Sequence, residues 1–103
     1  EDGKLDFRLP AIQSERKIRA YNPWPIAYFF HNGTNIKVYK AHVIEIPSGD
    51  SVPGKTFILQ GLPAVMTREN ALVFDEIQSA GRKVLSGKDF LTGYRNWEEG
   101  FAE

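Results

Sequence analysis

The sequence predicts a mainly β domain with two flanking helices, its five strands wound into a small Greek-key barrel. Turn signals recur at short intervals from Asn32-Gly33 onward, the punctuation expected between short antiparallel strands. A helical pattern precedes the first of these turns and another follows the last. The stretch from Asn35 to Ile46 is long enough to need a bend, which closing a small barrel demands of its strands.

Residues 1–9 read as a linker, acidic and with one glycine, in which Leu5, Phe7 and Leu9 alternate as a short extended piece covering a neighbouring surface. Pro10 suits the first turn of a helix, and Ala11, Ser14, Ile18 and Tyr21 recur at the three-to-four spacing of one buried face. Glu15, Arg16 and Arg19 lie largely off that face, so the helix has a mainly basic outer side. It stops at the elbow Asn22-Pro23-Trp24-Pro25. The two prolines fix their own φ near roughly −65° and push Asn22 and Trp24 towards extended backbone. Asn22 tolerates the left-handed conformation of a helix C-cap. Trp24 reads as a plug in the hydrophobic core; the rival reading is an aromatic that stacks on a ligand.

Aromatic residues crowd the run from Ile26 to His31, and Asn32-Gly33 then supplies the two positive-φ positions of a type I′ hairpin turn. Asn35 to Ile46 forms the return strand, where broken alternation after Val38 places a bulge near Lys40. Pro47-Ser48-Gly49-Asp50-Ser51 is a polar turn cluster, Thr56 to Gln60 a third strand broken by Gly61-Leu62-Pro63, and Ala64 to Thr67 a fourth. Ala71 to Gln78 is a fifth strand with Leu72, Phe74 and Ile77 as core residues, ended by Ser79-Ala80-Gly81. Ser86 and Asp89 resemble a capping box that opens a helix through Leu91 to about Trp97. Residues 98–103 form an acidic tail expected to fray. The whole is a five-stranded OB-like domain over residues 10–97.

A chain of 103 residues fits one domain. No apolar run approaches the roughly 18 residues of a membrane span, and Glu1-Asp2-Gly3-Lys4 opens no signal peptide. The absence of cysteine excludes disulfides, thiolate zinc sites and cysteine nucleophiles; a cytoplasmic monomer is the expectation. Thirteen acids balance thirteen bases, but six of the acids (Glu1, Asp2, Asp6, Glu98, Glu99 and Glu103) sit at the ends. Residues 16–40 hold Arg16, Lys17, Arg19, Lys37 and Lys40 without one acid, so the middle of the chain can face a polyanion.

Catalytic chemistry has little to rest on. His31 and His42 have no carboxylate at metal-ligand spacing, and there is no phosphate-cradling loop, serine elbow or paired-carboxylate motif. No metal, no cofactor and no catalytic residue is expected in this chain. Binding has better candidates: Arg16, Lys17 and Arg19 on the first helix, Lys37 and Lys40 on the long strand, and Arg82, Lys83 and Lys88 around the start of the last helix. Such contacts to phosphates position a partner without reading its sequence. Tyr28, Phe30 and Tyr39 can stack on bases or simply pack across strands.

Three segments together resemble the C-terminal domain of methionyl-tRNA formyltransferases: Ile18-Arg19-Ala20-Tyr21-Asn22-Pro23-Trp24-Pro25, then Ile36-Lys37-Val38-Tyr39-Lys40-Ala41, then Ile77-Gln78-Ser79-Ala80-Gly81-Arg82-Lys83 leading to Ser86-Gly87-Lys88-Asp89-Phe90-Leu91. Ile26 departs from the glycine usual after the elbow. The resemblance implies a barrel whose basic surface contacts the inside of initiator Met-tRNA. It implies that residues 1–9 join it to an N-terminal catalytic domain, which uses 10-formyltetrahydrofolate and an Asn, His and Asp constellation absent from these residues. The rival it leaves open is the structural barrel of a related formyltransferase or formyl-tetrahydrofolate hydrolase with a small substrate.

Overall fold

The computed structural model describes residues 3–47 and 52–103; Glu1, Asp2 and residues 48–51, most of the expected polar turn cluster, lie outside the described residues. Its first helix, α1 (Ala11–Ala20), starts directly after Pro10 and buries Ala11, Ser14 and Ile18, the stripe the spacing predicts. Strands β1 (Ala27–His31) and β2 (Thr34–Ile44) follow, then β3 (Thr56–Leu59), β4 (Leu62–Met66), β5 (Ala71–Ser79), the two-residue β6 (Leu85–Ser86) and helix α2 (Gly87–Gly93).

All strand pairings are antiparallel, in the order β1-β2-β5-β4-β3, with β6 on the same edge of β5 as β4. The class is therefore the one expected, a mainly β chain with two helices, but with six strands and a sheet that does not close. Among the described residues β1 and β3 do not pair with each other. The C-terminal residues stand between them: Ala102 bridges to His31, Phe101 bridges to Lys55, and Phe30 and Glu103 exchange backbone hydrogen bonds of 2.8 Å. The expectation of a frayed acidic tail is thus corrected. Backbone N–H and C=O groups pair regardless of side-chain charge, and the seam offers unpaired groups on both sides.

Local signals set much of this frame. Asn32 and Gly33 take φ of 50° and 84°, the two positive values of the type I′ turn. The register of β2 on β5 shifts between Val38 and Ala41, placing the irregularity at Lys40. Ser86 accepts a hydrogen bond from the Asp89 N–H at 3.1 Å and caps α2. Differences arise where partners are distant. Gln60 and Gly61 alone make the β3–β4 turn, with φ of 52° and 81°, so Leu62 and Pro63 lie inside β4. Pro63 has no N–H to give β5, and pairing with β5 begins only at Ala64. Gly87 fits beside it, where an added Cβ would lie 2.2 Å from the Phe74 carbonyl oxygen and 2.9 Å from Pro63 Cδ.

The core lies between the inner sheet face and the two helices. Phe29 stacks on Phe74 with ring centres 5.2 Å apart and meets Phe7 edge-on at 5.3 Å. Leu5 and Phe7 join the core as their alternation predicts, while Leu9 stays exposed. Ile36, Val38, Leu72 and Ile77 complete it.

The plug, however, is not Trp24. That side chain is 83% exposed, and the fully sealed indole is Trp97, 1% exposed, beyond the end of α2. Trp97 packs on Phe29, Phe74 and Phe90, and its Nε1–H donates to the Phe57 carbonyl at 2.9 Å. The elbow instead stands off the surface. Its two X-Pro bonds, Asn22-Pro23 and Trp24-Pro25, are cis, α1 is capped by Tyr21 rather than Asn22, and the Asn22 side chain donates to the Tyr39 carbonyl. The buried stripe of α1 ends at Ile18, with Tyr21 half-buried beyond it, so no apolar face continues into the elbow to draw Trp24 inward.

Candidate nucleic-acid interface

Alternation along β1, β2 and β5 sends Phe29, Ile36, Val38 and Ile77 inward and leaves a second face towards solvent. Register puts Tyr28, Lys37 and Gln78 in one row across that face, with Phe30 and Asn35 in the next. Tyr28 and Phe30 meet edge-on at 5.8 Å, and the Tyr39 hydroxyl donates to Gln78 Oε1 at 2.9 Å, fixing its ring on the face.

Two adjoining grooves open here, sharing Ser79 and Ala80. One, of about 360 Å³, has Lys37 beside Asn35 and Gln78. The other, of about 340 Å³, has Arg82 and Lys83 beside Thr34, with Phe90 and Tyr94 as its apolar wall. Together their lining holds three cations and no carboxylate. All three side chains are exposed, free to follow a polyanion's contour.

The structure thus unites three of the eight predicted basic residues and separates the rest. Arg19 is held by Glu15 across one helical turn at 2.7 Å. That acid lies just outside the acid-free block and offsets the charge of its guanidinium. Lys17 donates from Nζ to the Lys4 carbonyl at 3.0 Å and faces a different, larger groove of about 700 Å³ between residues 4–9 and 101–103. Charges in that groove are mixed: Arg8 grips Asp6 through two side-chain hydrogen bonds of 3.0 Å, which holds the Asp6 carboxyl below its ordinary value, and Glu103 lines it beside Lys4 and Lys17. Its size does not make it an anion site. Arg16, Lys40 and Lys88 are exposed but line none of these grooves. The polar floor of Thr34, Asn35, Gln78 and Ser79 was not foreseen, because it is defined by which strand pairs with β2, and no local signal carries that.

Neither histidine lines these grooves. His31 is fully buried, with Nδ1 2.8 Å from the Tyr94 hydroxyl and Nε2 2.8 Å from the Glu99 carbonyl. A carbonyl only accepts, so Nε2 carries the proton and Nδ1 accepts from Tyr94, a neutral tautomer that uses both nitrogens. Burial holds its pKa below the ordinary histidine value, and burial likewise raises that of Tyr94. His42 lies on the open end of β2, 2.8 Å from Asp75. Among the described residues no three of His, Asp and Glu converge as a metal site, and no helix is long and apolar enough to cross a membrane.

What fold and grooves define is a small, mainly β domain with two helices that presents a cation-lined surface. Its family follows from comparison: residues 1–95 match the family described as formyl transferase, C-terminal domain, and the chain belongs to that family. Over 95 residues it is 43% identical to the methionyl-tRNA formyltransferases of two strains of Chloroflexus aurantiacus, which covers 90% of this chain but 30% of theirs. In fold it is similar to HypX from Aquifex aeolicus. A structure of that protein in complex with tetrahydrofolic acid aligns with a TM-score of 0.69 at 19% identity, covering 95% of this chain and 17% of that one. A multiple variant of HypX aligns at 0.65 and 20% identity, covering 87% and 17%.

Proposed function

We propose that the chain is the tRNA-holding domain of a methionyl-tRNA formyltransferase, gripping initiator Met-tRNA by its phosphates while a separate, folate-dependent catalytic domain formylates the methionyl amine. The observation that carries this is the convergence of Lys37, Arg82 and Lys83 on adjoining grooves with no carboxylate in their lining. Methionyl-tRNA formyltransferase as the relative supplies the partner. Formyl transfer and the 10-formyltetrahydrofolate it needs are assigned to that separate domain. In this reading the protein works in translation initiation in the cytoplasm.

The test is tRNA binding by the chain as a function of salt. Charge-driven contact of this kind has a Kd of roughly 10⁻⁴–10⁻⁶ M, and three neutralised phosphates give a slope of log K on log salt of about −2 to −3. Replacing Lys37, Arg82 and Lys83 with alanine should flatten that slope and leave the fold intact, because exposed charges contribute little to stability. Salt-independent binding, or a slope unmoved by the three replacements, would favour the second reading, a structural barrel in a related formyltransferase with a small substrate. The fold shared with HypX is what keeps that reading in view.

A further inference from the structure

Of the large apolar side chains on this molecule, Trp24 is the most exposed, at 83%. Among the described residues it makes no ring contact and no side-chain hydrogen bond. Pro23 and Pro25 restrict the backbone on both sides of it, so the indole is displayed at little entropic cost to whatever binds it. The elbow is also anchored at one place on the sheet. Asn22 Nδ2 donates to the Tyr39 carbonyl at 3.0 Å, beyond the last β1–β2 pair, Ala27 with Val38. Tyr39 shares its sheet face with Lys37, two residues earlier on β2, about 7 Å away along the strand. Tyr39 therefore stands beside Lys37 on the face that carries the cation-lined grooves, and the elbow bearing Trp24 is tied to its backbone.

We propose that Trp24, with Tyr39 beside the elbow, grips an unpaired nucleobase of an RNA whose phosphates lie on Lys37, Arg82 and Lys83. The inference rests on the tRNA reading and adds to it a contact with a base rather than with the backbone. Charge decides the occupant. The grooves on the face that Tyr39 shares with Lys37 hold three cations and no carboxylate, which suits a polyanion and not an acid-seeking or purely apolar protein surface. Exposed aromatic rings beside a cationic groove are the combination that binds single-stranded nucleic acid, because every base has a π-face and every phosphate a charge. A paired stem shields its bases within the stack and gives an indole nothing to grip. The site accordingly selects a loop or an end over a continuous duplex, without choosing among bases.

The experiment uses the full chain, an RNA hairpin with an unpaired loop, and the same stem closed into a continuous duplex. The chain has two tryptophans and Trp97 is sealed, so loop RNA should quench the Trp24 emission and duplex should not. Trp24→Ala should weaken loop binding between about fivefold and a hundredfold, the loss of one stacked base. It should leave the salt slope and duplex affinity unchanged, and Trp24→Tyr should restore most of the loss. Unchanged loop affinity in Trp24→Ala would overturn the proposal, and so would an equal loss for loop and duplex. If either result came with binding still weakened by Lys37→Ala, Arg82→Ala and Lys83→Ala, the phosphate-gripping function would stand without the base site. Binding indifferent to those cations and to salt would instead remove the function on which the site rests.

Discussion

Replacing Trp97 with alanine should remove roughly 3–5 kcal/mol of folding stability, the range for truncating a fully buried aromatic. The structure supports the upper half of that range. An indole buries about 200 Å² on folding, which at roughly 25 cal/mol/Å² amounts to about 5 kcal/mol, and Trp97 is 1% exposed. Its ring centre lies 5.8 to 6.2 Å from those of Phe29, Phe74, Phe90 and Tyr94 and 4.9 Å from that of His31, so neighbours on β1, β5 and α2 all lose contact at once. Truncation also leaves the Phe57 carbonyl without the indole N–H, a further cost of about 1 kcal/mol if water does not replace it. Against a total stability of roughly 5–15 kcal/mol for a domain of this size, that is a large fraction. Urea unfolding followed by circular dichroism is the assay, and at a slope of about 2 kcal/mol/M the midpoint should fall by roughly 2 M. Trp24→Ala in the same assay should change stability by less than about 0.5 kcal/mol, as expected of an exposed position. Equal losses in the two variants, or a loss under 1 kcal/mol for Trp97→Ala, would refute the assignment of the plug.

Acid should loosen the seam where the C-terminal residues meet β1. Because burial depresses the pKa of His31 in the folded state, the neutral form is favoured there, and its stabilising contribution is complete above the unfolded value of about 6.5 and lost as pH falls below it. Urea midpoints should drop between pH 7 and pH 5 by at most about 1.4 kcal/mol per unit, and His31→Phe should flatten the drop; stability rising towards acid would contradict this. Gly87→Ala should destabilise by roughly 1–3 kcal/mol through overpacking, since its methyl meets the Phe74 carbonyl and the Pro63 ring; a neutral result in thermal melting would show that α2 can shift. Arg19→Ala should leave the urea midpoint almost unchanged, its guanidinium being exposed, and should barely alter tRNA affinity, which a binding titration checks.

Features set by neighbours in sequence were legible before the fold. The Asn32-Gly33 turn, the irregularity at Lys40 and the Ser86 cap each depend on a handful of adjacent residues. So does the buried stripe of α1. What escaped depended on closure over long separations. Either tryptophan has the volume to fill the core, and the choice was made by Phe57, forty positions from Trp97, and by the rings of β1 and β5. The tail looked free because three of its six residues are glutamates, whereas it is attached by the buried Ala102 and by backbone hydrogen bonds to Phe30 and Gly54. The basic block shows the same limit. Its charges were visible, but the acid that pairs with Arg19, the carbonyl that holds Lys17, and the meeting of Lys37 with Arg82 and Lys83 are properties of the packed chain.

The claim that the cation-lined grooves meet tRNA is tested most directly by residue. In an amide NMR titration of the isotopically labelled chain with tRNA at low salt, perturbations should gather at Asn35, Lys37, Gln78, Ser79, Arg82 and Lys83 and fade as salt is raised. Perturbations confined to Leu5, Lys17 and Phe101, around the larger groove, would contradict that account.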